Sequence, residues 1–356
     1  MRIEGLELNN FRSYESTAFE LHPDVTLVVG PNASGKTNLL EGVYVLASTK
    51  SFRAKDKDLV RHGQDHFRLV ARAGEVDYAL GFRAAGPLEK RITHDGVKRT
   101  LVGHVGQIQV TLFEPRDLEL VTGTPDARRK YLDFILCQTD RAYLRTLQQY
   151  RRVLKQRNAV LDDLEVSVVR EHIFAWDLKL AELAVEIYRG RTRLIERLNT
   201  AIPLLYRDIA GGAQELTLDY VPSVDGVYEE QFLTVLQENL RRDMGAGFTT
   251  IGPHREDFAV RFKGSGITAV ASRGEVRTVV LAMKLAELRY AHERTGIRPI
   301  LLLDDVFSEL DRDRRGFLLE QLRDHQTIIT TTDADAITRE FNGGHSIIST
   351  GTGVHV

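Results

Sequence analysis

Apolar and polar positions follow three regimes along the chain. Near its start, short runs predict strands over Arg2–Leu8 and Thr17–Leu21, with Asn10-Phe11-Arg12-Ser13-Tyr14 as the turn between them. An apolar run, Val25-Thr26-Leu27-Val28-Val29, whose β-branched residues suit a buried strand, predicts a third strand. Between residues 67 and 101, short alternating runs (Phe67–Ala71, Tyr78–Phe82, Glu89–Thr93) are separated by Ala73-Gly74, Ala85-Gly86-Pro87 and Asp95-Gly96, the pattern of an antiparallel meander. From about residue 126 to 200 the period becomes helical: Tyr143, Leu147, Tyr150 and Leu154 recur at spacings of four, three and four. A second helix is expected from about Arg170 to Asn199, closed by Gly211-Gly212, then a strand at Leu216–Val221 and a helix at Tyr228–Arg241. Past that point come a long apolar helix over residues 271–288, a short apolar strand ending in Asp304-Asp305, and a last core strand over Gln326–Thr331.

The third strand runs into Gly30-Pro31-Asn32-Ala33-Ser34-Gly35-Lys36-Thr37, and a helix start, Asn38-Leu39-Leu40-Glu41, follows. Strand, glycine-rich loop and helix together give G-x-x-x-x-G-K-[ST] the context of a phosphate-binding loop. Small residues let backbone N–H groups converge on an anion, and the helix start adds the positive end of its dipole. Lys36 would reach the β- and γ-phosphates of a nucleotide, and the Thr37 hydroxyl would ligate Mg²⁺. Acids at the C-terminal end of a parallel strand lie where an α/β sheet binds its ligand. Asp304 would therefore hold Mg²⁺ through water, and Asp305 would orient or deprotonate the attacking water; helix capping is the plainer role for either.

Two further stretches carry chemistry alongside an ordinary structural explanation. Ser272-Arg273-Gly274-Glu275 opens the long apolar helix; a capping box explains Ser272 and Glu275, and the same geometry aims Ser272 and helix N–H groups at any anion before them. Gly247–Phe258, GFTTIGPHREDF, is turn-rich and loaded with polar groups, either a shaped functional loop or simply a connection between strands.

Composition narrows the class without fixing it. The 356 residues are 42% hydrophobic and 28% charged, ordinary for a soluble globular protein of one to three domains. No apolar run approaches a membrane span, the first residues lack a signal-peptide core, and Cys137 is the single cysteine, so an intrachain disulfide and a cysteine-rich metal site are excluded and a cytoplasmic location is expected. A net charge of −2 gives no uniformly basic field. Residues 126–157 nevertheless hold nine basic residues against three acidic. Arg141, Arg145, Arg152 and Lys155 fall opposite the apolar stripe, as a solvated face or as a footprint for phosphodiester backbone.

The phosphate loop and the acid-tipped strand stand some 270 residues apart, so a mainly helical insertion interrupts one nucleotide-binding head, as in ABC-type ATPases. In that class the Ser-x-Gly-Glu helix before the acidic strand looks like the signature motif. With Asn9–Tyr14, Gly30–Glu41, Gly247–Phe258, Ala271–Thr278 and Leu301–Asp311 in order, the whole chain resembles the RecF family of recombination mediators. The resemblance implies an α/β fold: an ABC-type head of mixed or parallel sheet plus an antiparallel β-layer around the phosphate-loop helix, over residues 1–112 and 247–356. A mainly helical second lobe would take 113–246. It implies ATP and Mg²⁺ as cofactors, a slow DNA-stimulated ATPase, and an ATP-dependent head-to-head homodimer. In that dimer Ser272 and Gly274 would face the γ-phosphate held by the other subunit. It implies work at single-strand gaps beside duplex DNA, with RecR and RecO, in loading RecA.

Residues Gly30 to Asn38 would form the nucleotide cradle, with Arg12 near it. The glutamine of the lobe-linking loop is Gln107 or Gln109, with Gln109 favoured. The chain departs from the general ABC pattern in carrying Asp305 rather than Glu, whose shorter reach fits slow hydrolysis. It also has Thr332-Asp333 where a His usually follows the last strand. A transporter's nucleotide-binding subunit would use the same loop but not this signature or opening. A structural-maintenance ATPase would need long heptads, whereas two helices filling the 126–242 interval reach under ~90 Å. A nucleotide-binding module without turnover would leave Asp305 dispensable.

Overall fold

The computed structural model of the protein describes residues 1–161, 166–332 and 344–350. It divides into two compact units, Met1–Asp117 with Glu287–Val356, and Leu118–Ala286.

In the first unit, β1 (Gly5–Phe11) and β2 (Tyr14–Glu20) form a hairpin, so the strands run closer together than the sequence pattern predicts. The turn shrinks to Arg12 and Ser13, with Asn10 and Arg12 at positive φ (50° and 54°). β3 (Val25–Val29) leads through the phosphate loop to α1 (Lys36–Ser48). β4 (His66–Ala73), β5 (Val76–Arg83), β6 (Glu89–His94) and β7 (Val97–Lys98) form the expected meander. They join the hairpin in a six-stranded sheet of order β2-β1-β4-β5-β6-β7. After the short α2 (Leu101–His104), β8 (Val110–Phe113) enters a second sheet.

The second unit begins with α3 (Glu119–Thr122) and α4 (Pro125–Thr139), which ends at Asp140 before α5 (Arg141–Leu161). The next helix, α6 (Val166–Ala210), is far longer than the Arg170–Asn199 stretch and carries Pro203 inside it. β9 (Leu216–Val221) follows, and the single helix expected over Tyr228–Arg241 is two, α7 (Tyr228–Glu238) and α8 (Leu240–Ala246). β10 (Asp257–Phe262) pairs antiparallel with β9 and with β11 (Ser265–Gly266). This ladder ties residues 247–286 into the second unit, whereas motif order had grouped them with the head. α9 (Ile267–Val270) and α10 (Arg273–Thr295) complete this stretch.

β12 (Ile300–Asp304), α11 (Arg312–Leu322), β13 (Thr327–Thr331) and β14 (His345–Ser349) return to the first unit. The second sheet has the order β14-β3-β13-β12-β8 and every pairing is parallel. Continuous burial along β3 and β12 explains why these strands read as apolar runs, and β13 is buried throughout as well, with threonines at three of its five positions. Helix α1 packs between the two sheets, touching β1, β4 and β5 on one side and β8, β12 and β13 on the other. Its Gly42 permits that approach, because a β-carbon there would stand 2.7 Å from Leu8 Cδ2. Parallel pairing gathers the C-terminal ends of β3, β13 and β12 on one sheet edge, where the phosphate loop and the two aspartates lie. Among the described residues no helix is long and apolar enough to cross a membrane.

Candidate nucleotide site

The loop from Gly30 to Gly35 bends back through Ala33 and Gly35, both at positive φ (64° and 101°). Gly35 caps α1, and a side chain there would be strained by that φ and would meet Ser13 Oγ at 3.0 Å. The Tyr14 hydroxyl donates to the Gly35 carbonyl at 3.1 Å, holding the loop's exit. Lys36 is 8% exposed and its Nζ donates to the carbonyls of Gly30 (2.7 Å) and Pro31 (2.9 Å), which holds the ammonium over the loop backbone. The first amides of α1 have no partner within the helix and give this corner its positive character.

Next to Lys36, the Thr37 hydroxyl donates to Asp304 Oδ1 at 2.9 Å. Two residues 267 positions apart in sequence thus form one hydroxyl–carboxylate pair, because β3 and β12 both flank β13. Thr330, at the end of β13, serves both acids. Its hydroxyl donates to Asp304 Oδ1 at 2.7 Å, and its Oγ1 accepts from the Asp305 N–H at 3.0 Å. Asp305 takes the left-handed conformation (φ 53°, ψ 25°), which short polar side chains tolerate better than most. That turn throws it off the strand line beside Asp304. Thr330 was missed in the sequence; its only signal was a threonine run, Thr330-Thr331-Thr332, ending a core strand.

Behind the loop, Glu41 on α1 has a fully buried carboxylate. Arg12 grips it in a fork, Nε to Oε2 at 2.8 Å and Nη2 to Oε1 at 2.9 Å. Arg53 Nη2 and Ser51 Oγ also donate to it, and the same Arg53 nitrogen reaches Asn38 Oδ1 at 2.7 Å. Burial alone would raise the Glu41 carboxyl, but the hydrogen bonds from Arg12, Arg53 and Ser51 outweigh it and keep it below its usual range. Asn38 in turn donates to Ser13 Oγ at 2.8 Å. Arg12, expected beside the nucleotide, thus spends its guanidinium on Glu41 and on the Asp58 carbonyl, and braces the loop's helix from behind.

Gln109 requires a correction. It precedes β8, its backbone carbonyl accepts from Ile300, and its buried side chain accepts from Thr295 Oγ1 at 3.2 Å. The parallel register of β8 with β12 puts it at the opposite end of the strands from Asp304, about 16 Å away at 3.3 Å per residue. Gln107 lies in the turn before β8, its N–H donating to the His104 carbonyl. Strand direction removes Gln109 from the nucleotide. Asp333 falls outside the described residues.

In the second unit the signature helix opens with the capping box foreseen as its plainer explanation. The Ser272 N–H donates to Glu275 Oε2 at 2.8 Å, and the Glu275 N–H to Ser272 Oγ at 3.3 Å. Lys263 adds a bond to Glu275 at 2.7 Å, and these hydrogen bonds hold its carboxyl down to about 2. Ser272 itself is exposed and Gly274 partly so.

The GFTTIGPHREDF segment is a buried polar hub rather than an open functional loop. Glu256 accepts from the hydroxyls of Tyr220, Ser223 and Tyr228. Arg191 joins Asp133 to the Pro253 carbonyl, and Arg157 joins Asp177, Asp243 and Thr249. Arg128 forks onto Asp257. His254 sits between the Tyr150 hydroxyl (2.7 Å) and the Thr249 carbonyl (2.9 Å), and burial pushes it down to about 4. This hub divides the basic residues of 126–157. Arg157 is fully buried, and Arg128, Arg129, Lys130 and Arg151 have acidic partners. Arg141, Arg145, Arg152 and Lys155 remain as an exposed stripe on α5.

Comparison with known proteins decides the family. A family model for the RecF/RecN/SMC N-terminal domain matches residues 2–86. The DNA replication and repair protein RecF of Staphylococcus epidermidis is 37% identical over 362 residues, 96% of each chain, and that of Staphylococcus aureus is 35% identical over 361, again 96% of each. The chain belongs to the RecF family. A solved structure of the recombination mediator RecF with ATP in the RecFOR pathway superposes with a TM-score of 0.84 at 31% identity, covering 93% of this chain and 92% of that one. A second RecF structure in that pathway, described as RecF-ATPrS, gives 0.87 at 30% identity, covering 98% and 96%. An Smc head bound to a winged-helix domain of ScpA, at 17% identity and a TM-score of 0.56 over 98% and 94%, shares the fold. The RecF assignment makes this a DNA replication and repair protein built on an ABC-type ATPase head.

Proposed function

We propose that the chain binds ATP with Mg²⁺ at the phosphate loop and uses it to switch DNA-bound dimers on and off during recombinational gap repair. The observation that carries this is the Thr37–Asp304 pair beside Lys36. A hydroxyl and a carboxylate are hard oxygen donors of the kind Mg²⁺ takes, and Thr37 and Asp304 would hold it. When bound, the ion neutralises charge shared between nucleotide phosphates. Residues Gly30 to Asn38 form the cradle, and Lys36 supplies its cation. Asp305, turned off the strand end beside Asp304, orients water and takes its proton. The Arg12–Glu41–Arg53 cluster keeps α1 and Asn38 in place.

Ser272 and Gly274 act in trans, on the γ-phosphate held by a second copy. The Ser272 hydroxyl only accepts from the Glu275 N–H at 3.3 Å, so its own proton would be available for a charge-assisted bond to phosphate. ATP then favours the dimer by its differential affinity for that state, and slow hydrolysis releases it. The exposed stripe of Arg141, Arg145, Arg152 and Lys155 meets DNA backbone. RecO and RecR are the partners of the gap-repair step that loads RecA, in the cytoplasm.

The test is light scattering at matched concentration with ADP, with ATP, and with ATP plus gapped duplex. A mass that doubles with ATP alone is expected, with the doubled species retained on the duplex. A monomer under all three conditions, with ATP bound, sinks the dimer switch.

A further inference from the structure

Resting on the nucleotide reading of the loop, we propose that Thr350 is a positioning residue for that loop, acting through the Ser34 hydroxyl. Strand β14 lies in parallel register on β3, and Thr350 continues it, its N–H donating to the Val29 carbonyl at 2.7 Å. The residue is 4% exposed. Its Oγ1 stands 2.6 Å from Ser34 Oγ and 3.2 Å from the Val29 carbonyl oxygen. A β-carbon added at Gly30 would come within 2.4 Å of both the Thr350 carbonyl oxygen and Oγ1, and 2.7 Å of Ser34 Oγ. The first glycine of the phosphate loop is therefore dictated by Thr350 and Ser34, which fill the space a side chain would need.

The chemistry follows from counting hydrogens. The Thr350 hydroxyl has one proton and two acceptors within reach. With that proton on the Val29 carbonyl, Thr350 accepts from Ser34, and the loop hydroxyl is satisfied within the protein. With the proton on Ser34 Oγ, the Ser34 proton is released to donate to a phosphate oxygen. Rotation of one hydroxyl thus turns a self-satisfied serine into a ligand donor with no heavy atom displaced. The exchange gives up the longer, 3.2 Å bond and gains a charge-assisted one, which is the stronger kind. The sequence carries no sign of this, because Thr350 lies 316 residues from Ser34.

The experiment is calorimetric titration of ATP with Mg²⁺ into wild type, Thr350→Val, Thr350→Ser, Ser34→Ala and the S34A/T350V double variant. T350V should weaken ATP binding about tenfold and T350S less than about twofold, since only the former removes the hydroxyl. The ligand-free T350V should melt within about 2 °C of wild type, because its backbone bond to Val29 remains. If Thr350 works through Ser34, the double variant binds no more weakly than S34A alone. Wild-type affinity in T350V overturns the proposal, and additive losses overturn the route through Ser34. Should T350V unfold, S34A still decides, since wild-type affinity there removes the relay. A wild-type protein that binds no ATP would instead overturn the nucleotide reading beneath it.

Discussion

The phosphate-loop corner and the GFTTIGPHREDF hub are both dense in polar motif residues, yet they dispose of their polar groups in opposite ways. At the hub, partners are internal: Glu256 has its three hydroxyl donors, His254 is bonded on both ring nitrogens, and Arg157 bridges two aspartates. At the loop, helix amides, Lys36 and two aspartates converge on one sheet edge, held by residues behind them such as Glu41 and Thr330. A polar motif marks a ligand site when its groups are aimed at a common point and braced from the rear. It marks a scaffold when they are aimed at one another.

Substitution should separate the two regions cleanly. Lys36→Met is expected to weaken ATP binding by about a thousandfold or more, since it removes a hydrogen-bonded cation from a desolvated anion site. Its melting temperature without ligand should barely move. Asp305→Asn should keep ATP affinity and ATP-dependent dimers while turnover falls by about two to four orders of magnitude, the range of a lost general base. Wild-type hydrolysis in that variant, read in a phosphate-release assay, would take the base role from Asp305. At the hub the signature reverses. Arg157→Ala strands Asp177, whose carboxyl is already raised by burial against the pull of Arg157, together with Asp243. Breaking such a buried pair costs about 3–5 kcal/mol, so denaturant unfolding of the second unit should shift strongly while ATP affinity below the transition stays unchanged. A variant with lowered ATP affinity and unaltered unfolding would erase the distinction.

Among the groups through which acid should act on each unit is a histidine lowered by burial. His104, in the first unit, is pushed by burial down to about 4. Its Nε2 faces the Leu46 carbonyl at 2.5 Å and its Nδ1 lies 2.9 Å from His94 Nε2, an arrangement that fits the neutral ring. His254, in the second, is held at about 4 by the same cause. A histidine whose folded value lies below its unfolded value of about 6.5 binds protons more readily when unfolded, so stability is complete above about pH 6.5 and falls as pH drops toward 4. Each ring accounts for up to about 3 kcal/mol over that window. His254→Asn should flatten the pH slope of the second unit's unfolding and leave that of the first. An unchanged slope would assign the acid sensitivity elsewhere.

How much of this was legible depended on sequence distance. The strand–loop–helix turn, the place of Asp304 at a strand end and the meander could be read because each is a local pattern with a local physical cause. Thr330 and Glu41 could not, since their roles arise only when β13 is laid beside β12, or when Arg12 and Arg53 arrive from either side of α1. Gln109 failed because a residue type was matched to a role before the direction of β8 was known. The helical region misled through charge: nine basic residues in residues 126–157 read as one field, and the fold withdrew Arg157 into a buried triad and paired several others.

That division within α5 sets the smallest and most discriminating measurement. Tyr143, Leu147 and Tyr150 are buried on one side of the helix, while Arg141, Arg145 and Arg152 are exposed on the other. If the exposed stripe contacts phosphodiester backbone, neutralising those three to glutamine removes up to three phosphate contacts. The slope of log affinity against log salt should then become shallower by about 2 to 3, at about 0.9 per duplex contact. Folding and ATP affinity should be untouched, because none of the three is buried. A salt slope identical to wild type would mean that α5 turns a solvated face outward, and that DNA runs over another surface.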